Sequence, residues 1–371
     1  MVLGGIVLRC FGKTFILCVK INGGKGTTIA NVAMEKPTIK DVAREAGVSI
    51  ATVSRVINNS PGVRENLVNA VHDAIQKINY CPNSVARSLK RNATSTIAML
   101  VSDISNSFFT AVSRSIEDYV CTFGYNLIVC STDNDTEKEI LYLTLLKEKQ
   151  IDGLVLNTTS KNDDFVIQLS HELPIVLSNR NVSKAGFKGD FVDSDNISGA
   201  YELTTYLISL GHQKIGAVLG PLDTSTSAER YLGYLKAMRE IGLTKDDLAP
   251  YIYEADFTAN GGYQGMKTLY HRDDRPSVVI MMNNEMMLGA MRYLRENAIL
   301  VPEDVSIASY GDIINMDILY VQPTIVTLNP YVIGRKIAEL LVERIQLKNE
   351  VWNREFRYVP KLVKGNSVRK L

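Results

Sequence analysis

Histidine and tryptophan are scarce in this chain of 371 residues, with four copies of the first and one of the second. So few histidines leave little from which to build a zinc centre, and none pairs with cysteines at metal-ligand spacing. The five cysteines, Cys10, Cys18, Cys81, Cys121 and Cys130, are odd in number, scattered and without a C-x-x-C. They read as reduced thiols of a cytoplasmic protein, not as a disulfide frame. No motif sets a nucleophile beside a base and an orienting group, so neither catalysis nor a bound cofactor is expected. A dominant charge is missing too: 41 Lys and Arg face 40 Asp and Glu, for a formal net charge of +1.

That balance hides a local excess. From Glu35 to Arg91 there are nine Lys and Arg against five Asp and Glu, the footprint of a small domain that meets a polyanion. Residues 1–33 differ from the rest. They lack a basic leader, and Arg9, Lys13 and Lys20 break their apolar runs far short of the ~18 residues of a spanning helix. Gly23-Gly24-Lys25-Gly26-Thr27-Thr28 lacks the spacing of a phosphate loop. This segment is expected to be a non-native extension or a disordered leader, with translation starting at Met34; no membrane association is expected.

The run from Thr38 to Asn58 carries the strongest signal. Thr38 stands at an N-cap with Asp41 three residues on, and Ile39, Val42, Ala43 and Ala46 share one helical face. Gly47 suits a left-handed turn, and Ser49 caps a second helix whose inward face is Val53, Val56 and Ile57. Two short helices about a glycine turn describe a helix-turn-helix, whose second helix enters the major groove. Ile50, Ala51 and Arg55 are the candidate base readers, arginine through a bidentate bond to guanine and the apolar pair through a thymine methyl. Thr52 and Ser54 suit phosphate contacts.

Ala51 to Asn58, a third amphipathic helix near Arg64 to Asn79, and Tyr80-Cys81-Pro82-Asn83-Ser84-Val85-Ala86-Arg87-Ser88-Leu89 together resemble the lactose-repressor (LacI) family of bacterial transcription regulators. The resemblance runs from Lys36 nearly to the C-terminus. It implies an N-terminal all-α helix-turn-helix head (34–80), a hinge helix (81–94) and a two-lobed α/β core like the periplasmic binding proteins (95–371). Thr38, Ser49 and Asn58 join the implied DNA contacts. In the hinge, Leu89 matches a leucine that wedges into the minor groove, Ala86 lets two hinge helices approach, and Asn83 lies near the backbone.

Beyond Thr96 short β-rich runs alternate with helical ones: Ile97–Val101, Leu127–Cys130, Gly153–Leu156, Ile175–Leu177, Ile215–Leu219, Tyr251–Glu254, Val278–Met281 and Val305–Ser309. The alternation predicts parallel sheets of βαβ units, with ligands at the carboxyl ends of the strands. The first lobe is expected at about 95–193 and 311–357, the second at about 194–310 and 358–371. The resemblance implies a small effector between them, held by Phe108, Phe109, Arg230, Phe257 and Asn284. His212, in a Gly-His turn, is expected to be structural.

Asn283-Asn284 stands where the family usually has Asn-Asp, Tyr310-Gly311-Asp312 where it often has aromatic-Asp-Asp, and Asn106-Ser107 where Asn-Pro is common. Fewer cleft carboxylates point to an effector less sugar-like or more anionic. The expected function is a cytoplasmic repressor that binds a palindromic operator as a homodimer under control of a small metabolite, sugar or sugar-derived. The alternative is control by a phosphorylated carrier protein. This wants first-lobe arginines, and the stretch Ile313 to Gln322, assigned to that lobe, has none.

Overall fold

The computed structural model describes residues 7–11, 14–18, 37–57, 60–80, 94–347 and 352–371. The chain divides into two compact units, Met1–Lys90 and Arg91–Leu371. Asn58 and the hinge positions Asn83, Ala86 and Leu89 lie outside the described residues.

In the first unit β1 (Val7–Phe11) and β2 (Thr14–Cys18) pair antiparallel, with Val7 opposite Cys18. Both strands lie in the segment expected to be a non-native extension or a disordered leader. The helical head starts at α1 (Ile39–Glu45), where the Asp41 carboxylate accepts the backbone N–H of Thr38 at 2.9 Å and its hydroxyl at 2.7 Å. Gly47 turns the chain at φ +65°, a conformation that costs glycine little. Ser49 then accepts the Thr52 N–H at 3.1 Å and starts α2 (Ile50–Ile57). Val42 and Ala43 of α1 and Val53 and Val56 of α2 close on Val71 and Ala74 of α3 (Glu65–Lys77). Full burial of each valine stabilises by about 1.5–3 kcal/mol, which suffices for a small three-helix core and little more.

The second unit holds two sheets. The first-lobe sheet runs β13-β7-β6-β5-β3-β4, all parallel: β3 (Thr96–Val101), β4 (Asn126–Ser131), β5 (Gly153–Leu156), β6 (Ile175–Ser178), β7 (Asp190–Ser194) and β13 (Glu355–Tyr358). Its helices are α4 (Ser107–Val120), α5 (Thr136–Glu148), α6 (Asp163–Ser170) and, late in the chain, α12 (Pro330–Gln346), which packs on α4. The second-lobe sheet runs β14-β12-β11-β10-β8-β9: β8 (Ile215–Leu219), β9 (Ile252–Glu254), β10 (Val278–Met281), β11 (Ser306–Tyr310), β12 (Thr324–Thr327) and β14 (Lys361–Val363). Around it stand α7 (Asn196–Ser209), α8 (Ser225–Glu240), α9 (Lys245–Leu248), α10 (Ala259–Tyr270) and α11 (Asn284–Glu296). Only the β12–β14 pairing in it is antiparallel. Strand interiors such as Leu154-Val155-Leu156 and Val278-Val279-Ile280 are wholly buried, as sheets covered by helices on both faces require.

The chain leaves the first-lobe sheet after Ser194 and again after Tyr358. The return to the first lobe differs from the expected one: β12 belongs to the second-lobe sheet, so the chain goes back after Thr327 and not after Tyr310. Ile313 to Gln322 therefore belongs to the second lobe, which removes the ground on which the carrier-protein alternative was weighed.

Candidate functional site

Two surfaces concentrate the site residues. On α2, Ser49, Ile50, Ala51 and Arg55 are exposed, while Val53 and Val56 on the opposite face are buried in the head. Ile50 keeps 46% of its surface exposed although it is a large apolar side chain, as fits a contact made only with a partner. Thr38 is exposed with its hydroxyl on Asp41, Ser49 and Thr52 join hydroxyls at 2.9 Å, and Ser54 is half-buried. The Thr38–Asp41 bond caps α1, the Ser49–Thr52 bonds hold the start of α2, and Ile50, Ala51 and Arg55 are left on the outer face.

The second surface is a cleft of about 220 Å³ between the lobes of the core. Every sequence-predicted effector residue lines it: Phe108 and Phe109 from α4, Arg230 from α8, Phe257 after β9 and Asn284 at the start of α11. Arg230 lies in the second turn of α8 and is buried. Tyr310 and Asp312, from the Tyr310-Gly311-Asp312 run weighed above, line it at the end of β11 and beyond, and residues not foreseen join them: Ser102 and Asp103 after β3, Asp133 and Asn134 after β4, Asn179 and Arg180 after β6, and Asp256 after β9. All follow the carboxyl ends of strands, where open α/β sheets hold their ligands. The general rule names the loops; only the fold says which residues in them point inward.

The aromatic rings give the cleft its apolar faces. Phe108 and Phe109 meet edge to face with centroids 5.3 Å apart. The Arg230 guanidinium lies 4.2 Å from the centre of the Tyr310 ring, and Arg180 lies 5.6 Å from that of Phe257. Arg230 donates through Nε to Asn196 at 2.9 Å and through Nη1 to the Met282 carbonyl at 2.6 Å. Burial lowers its pKa. Arg180 donates through Nη1 to Asn134 at 2.8 Å, and burial together with the positive charge of Arg230 brings its pKa down to about 10.

Polar bonds join the lobes across the cleft. Asn106, the N-cap of α4, and Asn284 exchange carboxamide hydrogen bonds, and Lys161 pairs with Asp223 at 2.6 Å. Behind the cleft, Asn196 donates to Asp193 at 2.9 Å and to Glu229 at 3.1 Å, and Arg357 of β13 reaches Glu229 at 2.8 Å. Burial pushes Asp193 up to about 7. The cleft carboxylate that remains in Tyr310-Gly311-Asp312 is engaged: Asp312 accepts the Thr327 hydroxyl and the Leu328 N–H. Gly311 itself sits at φ +107°, a conformation that side-chain-bearing residues rarely adopt.

His212 is buried, with Nδ1 2.8 Å from the Ser277 hydroxyl and Nε2 3.0 Å from the Arg369 carbonyl. Burial lowers its pKa, and its work is to tie the entry to β8 to the C-terminal tail. Among the described residues no group of His, Cys, Asp and Glu could hold a metal ion, and no helix is long and apolar enough to cross a membrane.

Comparison with known proteins finds relatives of both parts of the chain. A family described as bacterial regulatory proteins, lacI family, matches residues 38–83, and one described as periplasmic binding proteins and sugar binding domain of LacI family matches residues 94–361. The HTH-type transcriptional repressor PurR of Aliivibrio salmonicida is 36% identical over 339 residues, 90% of this chain and 99% of that protein. The HTH-type transcriptional regulator RegA of Clostridium saccharobutylicum is 38% identical over 316 residues, 84% of this chain and 93% of that one. A crystal structure of the lac repressor dimer bound to operator and the anti-inducer ONPF shares the fold, with a TM-score of 0.77 at 23% identity, covering 90% of this chain and 100% of that one. With a reading helix in its head, a two-lobed core and relatives along nearly its whole length, the chain belongs to the LacI family of bacterial transcriptional regulators.

Proposed function

We propose that this protein is a cytoplasmic repressor that binds a palindromic operator as a homodimer and answers to a small metabolite in its interlobe cleft. The observation that carries the reading is the exposed Ile50–Ala51–Arg55 face of a helix capped by Ser49, on the same chain as a cleft lined from both lobes. Arg55 reads a guanine; Ile50 and Ala51 meet thymine methyls. Thr38, Ser49, Thr52, Ser54 and Asn58 position the head on phosphates. Asn83, Ala86 and Leu89 form the hinge, with Leu89 unstacking the central step.

Two heads are needed because a palindrome answers two-fold protein symmetry. Ile314, Ile318 and Tyr320, between β11 and β12, are respectively 59, 77 and 99% exposed, and such an apolar surface favours a second copy of the chain. Ligand and operator are then coupled through the angle between the lobes, each biasing the same two states.

Selection of a random duplex library by the purified protein, with and without pooled metabolites, tests the reading. The expected result is an enriched palindrome with a CG step at its centre. A bound pool indistinguishable from the input under every condition would sink it.

A further inference from the structure

Two of the passages between the lobes lie side by side. Strand β7 runs straight into α7, and β13 runs through Val359 and Pro360 into β14. The two strands are parallel neighbours, with Asp193 opposite Arg357 and Ser194 opposite Tyr358. Where both leave the sheet, the Asp195 N–H bonds to the Tyr358 carbonyl at 2.8 Å. A change in lobe angle has to be absorbed at such passages.

At this seam one carboxyl group from each lobe reaches the same nitrogen. Asn196 Nδ2 lies 2.9 Å from Asp193 Oδ2 of the first lobe and 3.1 Å from Glu229 Oε2 of the second, with the Ser194 carbonyl at 3.3 Å. Three acceptors therefore surround two hydrogens. Glu229 has a counter-ion, because its other oxygen accepts Arg357 Nη1 at 2.8 Å, and Arg357 is shared in turn with Glu355. Asp193, 2% exposed, forms no ion pair among the described residues. The charges around it come from every neighbouring element. Helix α8 presents Glu229 and also Arg230, whose Nε reaches only the Asn196 carbonyl, and β13 presents Arg357 and Glu355. From β11 comes the Tyr310 phenol, which burial holds neutral. Asp195, at the start of α7, is taken up by the Ser198 N–H and hydroxyl. On the other side β6 sets neutral Ser178 beside Val192 and sends Arg180 into the cleft, while Arg344 of α12 is spent on Asp190 at the far end of β7.

We infer that Asp193 is a proton-operated fastener between the lobes. Protonated, it lies against the Glu229 carboxylate without repulsion, and the Asn196 amide serves both. Ionised, it sets a like charge against Glu229 across the seam, and the lobes loosen towards a wider angle. Burial, with the added push of Glu229, carries Asp193 to about 7 against the pull of the Ser194 N–H, Arg230 and Arg357. Mild acid therefore tightens the seam and mild alkali slackens it. The effect on lobe angle rests on the fold alone; only its passage to the operator rests on the proposed function.

The test follows the full-length protein from about pH 5 to 8 by two readouts. Infrared difference spectra should show the carbonyl stretch of one protonated carboxyl disappearing near neutrality. Small-angle scattering should show a radius of gyration that rises with the same midpoint. Asp193→Asn should abolish the infrared change and flatten the scattering series. Glu229→Gln should keep both changes but move their midpoint to lower pH, because the like charge is gone; a merely structural carboxyl would show no such displacement, and this variant carries the test if Asp193→Asn does not fold. A neutral-range carboxyl signal that survives Asp193→Asn, a midpoint unmoved in Glu229→Gln, or a radius of gyration that does not follow the titration overturns the inference. Operator selection is read separately: a pH-dependent radius without operator enrichment sinks the regulator reading alone, and enrichment with a constant radius sinks this one alone.

Discussion

Asn106 and Asn284, one from each lobe, exchange side-chain hydrogen bonds of 3.0 and 3.2 Å across the mouth of the cleft. The direction of each bond is fixed by a third. Asn106 Oδ1 accepts the Phe108 N–H at 2.9 Å as the cap of α4, so its Nδ2 must face Asn284, whose Oδ1 accepts and whose Nδ2 donates back. A carboxylate at position 284 could accept but not return the bond. The asparagine found there in place of the more usual aspartate thus builds a reciprocal latch.

Asn284→Asp should remove one of the two bonds and set an anionic oxygen against Asn106 Oδ1, a loss of about 1 kcal/mol. Small-angle scattering on the ligand-free protein should show a larger radius of gyration than wild type. An unchanged scattering curve and an unchanged melting temperature together would mean that the latch holds nothing.

Arg55→Ala should leave the head folded, because the side chain is exposed and the helix core is Val53 and Val56. Operator affinity should fall by about 1–3 kcal/mol, with discrimination relaxed at one base pair of each half-site. Footprinting that matches wild type on the selected operator would remove Arg55 from base reading.

Arg344→Met leaves Asp190 with Arg354 alone, which is a quarter exposed and shared with Glu343. Removing one partner of a buried pair costs about 3–5 kcal/mol. Urea unfolding should shift accordingly. For Asp190, burial works to raise the pKa, but the hydrogen bonds from Arg344 and Arg354 win and hold it below the usual carboxylate range. Its contribution is present above the unfolded-state pKa and is lost as pH falls through the lower folded value, so wild type should weaken in acid and Arg344→Met should weaken less steeply.

Asp193 has the opposite sign. Its pKa is raised by burial to about 7, against the pull of the Ser194 N–H, Arg230 and Arg357 and with the added push of Glu229. The folded protein therefore holds a proton that the unfolded chain has released, and stability should fall as pH rises from about 4 to 7. Asp193→Asn should flatten that slope, by an amount on the order of 1–3 kcal/mol. Equal slopes in melts from pH 5 to 8 would exclude a protonated Asp193.

The reading helix was legible because its signals are local: a capping box, a left-handed glycine and a period of 3.6. The cleft aromatics came from the family resemblance, which matched Phe108 and Phe109 after β3 and Phe257 after β9 to effector positions. Arg180 was not legible, because it sits in the polar turn Ser178-Asn179-Arg180-Asn181 and nothing in sequence tells a buried arginine from a surface one. The strands β7 and β13 were missed for a related reason. Asp190-Phe191-Val192-Asp193-Ser194 buries two carboxylates, which strands seldom do, with Asp190 held by Arg344 and Arg354, and Glu355-Phe356-Arg357-Tyr358 is a four-residue strand with two exposed charges, of which Arg357 reaches Glu229. The return to the first lobe was misplaced because β12, Thr324–Thr327, is short and its partner is fixed only by the tertiary fold.

The reciprocal asparagine pair means that the two lobes rest in a fastened posture, held at this point by neutral groups alone. A guest that slips in beside the pair tightens what is fastened, whereas one that needs either amide for itself must unfasten it first. Under the proposed function, a single bond donor at the edge of a ligand would decide which way the lobes are biased, and a change at position 284 would reverse the sign of the response without altering the helix-turn-helix head.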